Sequence, residues 1–194
     1  MLAALPAAAL LGLHGDTPLV ETRDLGIRFV LKNAFFKKNR YMLDAVKNVS
    51  FAINEGEVFG LVGESGSGKS TIARLIAGLY KASSGSVIFN DTNVTQLKDE
   101  ASLNAFRRQI QMVFQDPYSS LNPRMRILDI VAEPIRFHKL TANEAQTRAI
   151  VGDLLDYVGL GEQALKRFPH EFSGGQRQRI CIARALATRP RFLI

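Results

Sequence analysis

The run Gly63-Glu64-Ser65-Gly66-Ser67-Gly68-Lys69-Ser70 has the spacing G-x-x-x-x-G-K-[ST], by which a loop wraps the phosphates of a nucleotide. Gly63, Gly66 and Gly68 let the backbone turn its N–H groups toward an anion, at the positive end of the helix that follows. Lys69 can place its ammonium between the outer phosphates, and the Ser70 hydroxyl can ligate Mg²⁺ while the metal bridges phosphate oxygens. Glu64, Ser65 and Ser67 contribute the rest of the loop, and Thr71 is a candidate second hydroxyl. A glycine-rich structural turn is the bland alternative. A dinucleotide fingerprint fits worse, because G-x-G-x-x-G counted from Gly66 and Gly68 needs glycine where Thr71 stands.

Two further groups could do related chemistry. Gln115 follows the apolar run Gln111–Phe114 and precedes Asp116-Pro117. Its amide can offer oxygen to a metal or water and hydrogens to an anion. Farther on, Phe172-Ser173-Gly174-Gly175-Gln176 opens a helical pattern that runs to about Ala187. A serine hydroxyl, two flexible amides and a helix start make a second anion receptor, or simply a helix cap. Two phosphate-seeking helix starts either reach one nucleotide within a chain or serve different nucleotides across a dimer.

The elements that must position these residues are readable from periodicity. Glu57–Val62 reads as a buried strand entering the loop, and Thr71–Ala77 as a helix with Ile72, Leu75 and Ile76 on one side. Leu19–Phe29 and Met42–Ile53 read as strands separated by the polar and aromatic insertion Lys32–Arg40. Ser86–Asn90 reads as another strand, Leu103–Gln109 as a polar helix, and Gln111–Phe114 as an interior strand. Beyond Leu121 the pattern turns helical: Thr141-Ala142-Asn143-Glu144 has capping-box spacing, and Ile150, Val151, Leu154, Leu155 and Val158 form a stripe at helical period. These patterns predict an α/β core with a helical subdomain over about 121–168.

Composition narrows the classes. A chain of 194 residues with 46% hydrophobic and 22% charged residues can bury a core as one domain, or as one domain with a subdomain. The single Cys181 excludes an internal disulfide framework, and His14, His138 and His170 show no metal-ligand spacing. A net charge of +7, with Arg177, Arg179, Arg184, Arg189 and Arg191 in an acid-free stretch, invites a nucleic-acid reading. No recognised nucleic-acid module accompanies it, and none is expected as a partner. Met1–Leu13 is uncharged and lacks the basic start of a signal peptide, so 1–18 is expected to be an extension.

Gly63–Ser70, Gln115, and Phe172-Ser173-Gly174-Gly175-Gln176 followed by Arg177-Gln178-Arg179 resemble the Walker A motif, Q-loop and signature motif of an ATP-binding cassette ATPase. The resemblance covers about 19–194. Val113–Met125 and Phe168–Ser173 are similar to the ATPase subunits of oligopeptide, dipeptide and nickel importers. It implies a P-loop NTPase core with an antiparallel β subdomain and an inserted α-helical subdomain. It also implies that Lys69 and the loop amides hold ATP, that Ser70 and Gln115 meet Mg²⁺, and that Gln115 senses the attacking water. Ser173, Gly174, Gly175 and Gln176 would complete the nucleotide site of an opposing subunit in a head-to-tail homo- or heterodimer. Phe29 is the expected adenine-stacking aromatic, with Tyr41 and Phe35 as rivals.

Implied partners are transmembrane permease subunits and, indirectly, a periplasmic or extracellular solute-binding protein. The implied place is the cytoplasmic side of the cell membrane, held peripherally. The departures are expectations too. Family members continue from a strand like Arg191–Ile194 into the Walker B Asp and an adjacent Glu, and this sequence stops before both. The 194-residue chain alone is therefore expected to lack the C-terminal part of the fold and to hydrolyse ATP negligibly. A soluble cassette ATPase of DNA repair or translation and a noncatalytic product remain the alternatives.

Overall fold

The computed structural model describes residues 17–32 and 40–194. The expectations for Met1–Leu13 and Phe35 lie outside the described residues, as does the side chain of Tyr41. The chain divides after residue 103 into two compact units.

The first unit is built on two long strands, β1 (Val20–Lys32) and β2 (Arg40–Ile53), paired antiparallel from Val20↔Ile53 to Lys32↔Arg40. The register slips between Thr22 and Arg28, where Asp24 and Asn48 take positive φ; after glycine, Asp and Asn are the residues that tolerate that region. Helix α1 spans Lys69–Ile76, β3 spans Ser84–Phe89, and β4 spans Thr92–Asn93, giving one sheet in the order β2-β1-β3-β4. Val20, Leu25 and Ile27 of β1, Val46 and Ile53 of β2, and Val87 and Phe89 of β3 are buried. So are Ile72, Leu75 and Ile76 of α1, the side predicted from their spacing. Each such aliphatic side chain contributes about 1.5–3 kcal/mol when removed from water, so this hydrophobic face holds α1, and with it the loop before it, to β2. Thr22 is the buried polar exception, and its hydroxyl is satisfied by accepting from Phe51 N at 3.0 Å.

One expectation for this unit is corrected. Glu57–Val62 forms no strand: Val58 is 98% exposed and Val62 86% exposed. An apolar run becomes a buried strand only with a ladder partner for its backbone and a cover for its side chains. Among the described residues no strand pairs with it.

The boundary falls within α2 (Glu100–Gln109), and the second unit, from Asn104 on, is mainly helical. It contains β5 (Ile110–Gln111), α3 (Pro117–Ser120), α4 (Ile127–Phe137), α5 (Glu144–Tyr157), α6 (Gly174–Leu186) and β6 (Phe192–Leu193). The strands β5 and β6 pair in parallel, Ile110↔Phe192 and Gln111↔Leu193, and the intervening helices make the crossover such a pair requires. The expected strand Gln111–Phe114 is thus shorter and less interior than its apolarity suggested. Val113 N still donates to Ile194 O, but Phe114 is 43% exposed.

One apolar cluster joins α4, α5 and α6. Ile127, Val131, Ile135, Val151, Leu155 and Ile180 are fully buried in it, with Ile150, Leu154 and Val158 packed at its margin. The stripe on α5 is therefore core. Its cap falls later than the spacing predicted. Asn143 caps α5 by accepting from Gln146 N, Gln146 returns a bond from Ala142 N, and Thr141 turns to the buried Thr147 hydroxyl. Asparagine is among the strongest capping residues and outcompetes the threonine upstream of it. Among the described residues no helix is long and apolar enough to cross a membrane.

Candidate functional site

The loop before α1 is shaped as an anion cradle. Gly66 and Gly68 have φ of 81° and 96°, the left-handed region that turns successive N–H groups to one side. At Gly68 a side chain is doubly barred, since an added Cβ would lie 2.7 Å from Ala45 O on β2. Gly68 stands at the N-cap of α1 with no side-chain cap, so the first-turn N–H groups of the helix are left for a ligand. The Lys69 ammonium folds over the loop and donates to Gly63 O at 2.7 Å, Glu64 O at 2.6 Å and Ser67 Oγ at 3.3 Å. A cation is thereby fixed above a rim of amides, and Glu64, Ser65, Gly66 and Ser70 are exposed around it.

This donor set fits a polyphosphate with a divalent cation. Among the described residues no group of three His, Cys, Asp or Glu side chains could hold a metal alone. Mg²⁺ keeps several waters and is bound through few protein ligands together with phosphate oxygens. Ser70 offers an exposed hydroxyl in the first turn of α1, and Thr71 beside it is half-buried.

Phe29 lies within β1, paired with Leu43, short of the strand's end at Lys32. It is half-buried and meets the Tyr80 ring edge-on at 5.8 Å, and the Arg74 guanidinium sits 5.7 Å over that same Tyr80 ring. Tyr80 has no spacing signal in the sequence, because it is brought to Phe29 only by the chain reversal after α1.

In the second unit Gln115 occupies an exposed bend between the β5 segment and α3. Its neighbour Asp116 caps α3: Tyr118 N donates to its carboxylate at 2.9 Å, and this bond, with help from Ser119, holds the carboxyl below its ordinary range. Glu171 is engaged the same way, its carboxyl lowered by Phe168 N first and by Arg167 after. Both carboxylates are thus occupied by local backbone, which leaves neither placed as a general base.

At the head of α6, Ser173 and Gln176 form a reciprocal capping box, Gln176 N donating to Ser173 Oγ at 3.3 Å and Ser173 N to Gln176 Oε1 at 3.0 Å. The box commits the Gln176 carbonyl to the backbone, so Gln176 reaches a ligand only through its amide hydrogens. Gly174 and Gly175 are exposed, and a Cβ on either would meet nothing within 4 Å. Their freedom from packing leaves an open approach to the amides at the helix start. Burial holds the Cys181 thiol above its ordinary value. The acid-free stretch is also less free than its charge suggests. Arg177 bonds Tyr118, Arg179 donates to Val158 O at 3.4 Å, and Arg184 pairs with Glu133 at 2.7 Å.

The chain is similar to known proteins. A family model described as ABC transporter matches residues 46–194. The oligopeptide transport ATP-binding protein OppF of Streptococcus mutans is 52% identical over 176 residues, 91% of this chain and 55% of that protein. The glutathione import ATP-binding protein GsiA of Salmonella paratyphi A is 45% identical over 177 residues, 91% of this chain and 28% of that protein. The chain spans about half the length of OppF. Among solved structures, the dimeric post-hydrolysis state of the ATP-binding cassette MJ0796 bound to ADP and Pi matches with a TM-score of 0.78 and 32% identity, over 90% of this chain and 72% of that one. The fold is the α/β P-loop fold of this cassette, with its antiparallel sheet and helical subdomain.

Proposed function

The chain belongs to the ABC transporter family, and on that footing we propose that it is the ATP-binding part of an importer for oligopeptides, dipeptides or a related small solute. The observation that carries this reading is the Lys69 ammonium fixed over the Gly63–Ser70 loop at an uncapped helix start. The 52% identity to an oligopeptide transport ATP-binding protein supports the solute class.

Lys69 and the loop amides hold the β- and γ-phosphates, and Ser70 gives its hydroxyl to the metal. Phe29 lies against adenine. Bound Mg²⁺ neutralises phosphate charge and polarises the phosphoryl oxygens. Gln115 orients water at the metal. Ser173, Gly174, Gly175 and Gln176 close over the nucleotide held by an opposing subunit, so each chain contributes to two sites. The exposed Gly174 and Gly175 amides support that role, since an open helix start is what an incoming phosphate needs. Closing and reopening of that dimer biases a transmembrane permease between two states. The subunit lies peripherally on the cytoplasmic face of the membrane, and a solute-binding protein delivers cargo to the other side.

The test is purification of the tagged full-length parent from membranes in mild detergent. A multispanning protein is expected to copurify, and adding solute-binding protein with peptide should raise ATP turnover by about 10-fold, on the scale of a typical coupling free energy. Turnover that is membrane-free and stimulated by nucleic acid would overturn the transport reading.

A further inference from the structure

Two arginines on one face of α6 reach back to the segment just after Gln115. The Arg177 guanidinium lies 3.8 Å over the Tyr118 ring and donates to its hydroxyl at 2.5 Å. About two turns later on the helix, Arg184 donates to Ser120 O at 3.0 Å and to Glu133 at 2.7 Å. The segment between is tied to itself, for the Ser119 and Ser120 hydroxyls both donate to Asp116 O, at 3.2 and 2.7 Å. Among the described residues Arg177 Nε is buried without a hydrogen-bond partner, whereas Tyr118 is 66% exposed. An exposed tyrosine normally gains little by ordering; here its ring lies under a guanidinium, which binds an aromatic face better than an ammonium does.

We propose that Tyr118 and Arg177 are positioning residues that fix the Ser173 end of α6 to the segment carrying Gln115, so that these two parts of the ATP site move as one body. The proposal rests on the function stated above and deepens it. Tyr118 and Arg177 lie outside the Gly63–Ser70 loop, and neither supplies one of its groups. Their loss therefore spares the binding of ATP at Lys69 and slows only the step in which the Ser173 end closes with Gln115 in register.

The experiment is steady-state turnover in the full-length parent assembled with its partners, for Arg177→Met, Tyr118→Leu and the double variant, beside direct binding of a fluorescent ATP analogue. Each single change should lower kcat about 10-fold while KM for ATP stays within about twofold. The double variant should be no slower than the worse single, as expected when both changes remove one interaction. Tyr118→Phe, which keeps the ring under the guanidinium, should retain at least about one third of the rate. If Arg177→Met does not fold, the two Tyr118 variants carry the test alone, because that side chain is mostly outside the core. Unchanged kcat, a raised KM with kcat intact, or losses that multiply in the double variant would each overturn the proposal. Lys69→Ala separates the two readings. If it leaves ATP binding and turnover untouched, the function itself falls and the positioning role with it. If it abolishes both while Tyr118 and Arg177 variants run normally, only the positioning role falls.

Discussion

Replacing Lys69 with alanine in the full-length parent is expected to lower ATP turnover roughly 100- to 1,000-fold, the range seen when one preorganised donor is removed from a developing anion, and to abolish ATP-driven transport. The reason is local. The ammonium is the one side-chain cation over the Gly63–Gly68 loop among the described hydrogen bonds, and it is fixed there by Gly63 O, Glu64 O and Ser67 Oγ. Those acceptors lie at an exposed loop where water can replace the lost donors, so the unliganded protein should lose no more than about 1 kcal/mol of stability. Assembly with membrane partners should persist. A thermal melt without nucleotide checks the stability, and a phosphate-release assay checks turnover. Undiminished turnover would remove the phosphate site from the account.

The second large effect is expected at Ser173. Arginine there removes the hydroxyl that caps α6 and sets a bulky cation at the positive end of a helix, at a cost of about 1–2 kcal/mol in stability. Aspartate is the informative companion. It caps as well as serine does, so the fold should keep its stability, but its charge would face the phosphates of the nucleotide bound by the opposing subunit. Both variants should lose the nucleotide-dependent dimer and at least about 100-fold of turnover, while each chain still binds ATP at its own loop. Light scattering with and without Mg-ATP reads the dimer. Normal dimerisation by Ser173→Asp would reduce Ser173 to a helix cap and nothing more.

Much of this site was legible because its parts are contiguous. A phosphate loop is eight consecutive residues whose chemistry lies mostly in backbone N–H groups, so spacing alone locates it, and the helix after it follows from Ile72, Leu75 and Ile76. The Ser173 start of α6 is equally local, a serine followed three residues later by glutamine. The long strands β1 and β2 were visible as two runs, Leu19–Phe29 and Met42–Ile53, with the polar insertion between them. What failed were features that depend on partners far along the chain. The apolarity of Glu57–Val62 predicts burial, yet a strand is defined by its ladder, and no described strand supplies one. The α5 cap moved to Asn143 because two capping residues competed within three positions. The Tyr118–Arg177 contact joins residues 59 positions apart, and in sequence Arg177 is simply one more charge in a basic stretch. Tyr80, set against Phe29 by a chain reversal, was invisible for the same reason.

If Gly63–Ser70 holds the phosphates of ATP with Mg²⁺, nucleotide affinity depends on Lys69 and on the metal. Titration calorimetry of ATP into the full-length parent tests it most directly, with Mg²⁺, with chelator, and with Lys69→Ala. One nucleotide per chain is expected with Mg²⁺, binding about 10-fold weaker in chelator, and binding about 100-fold weaker or undetectable in Lys69→Ala. Equal affinity in the wild-type and Lys69→Ala proteins would contradict it.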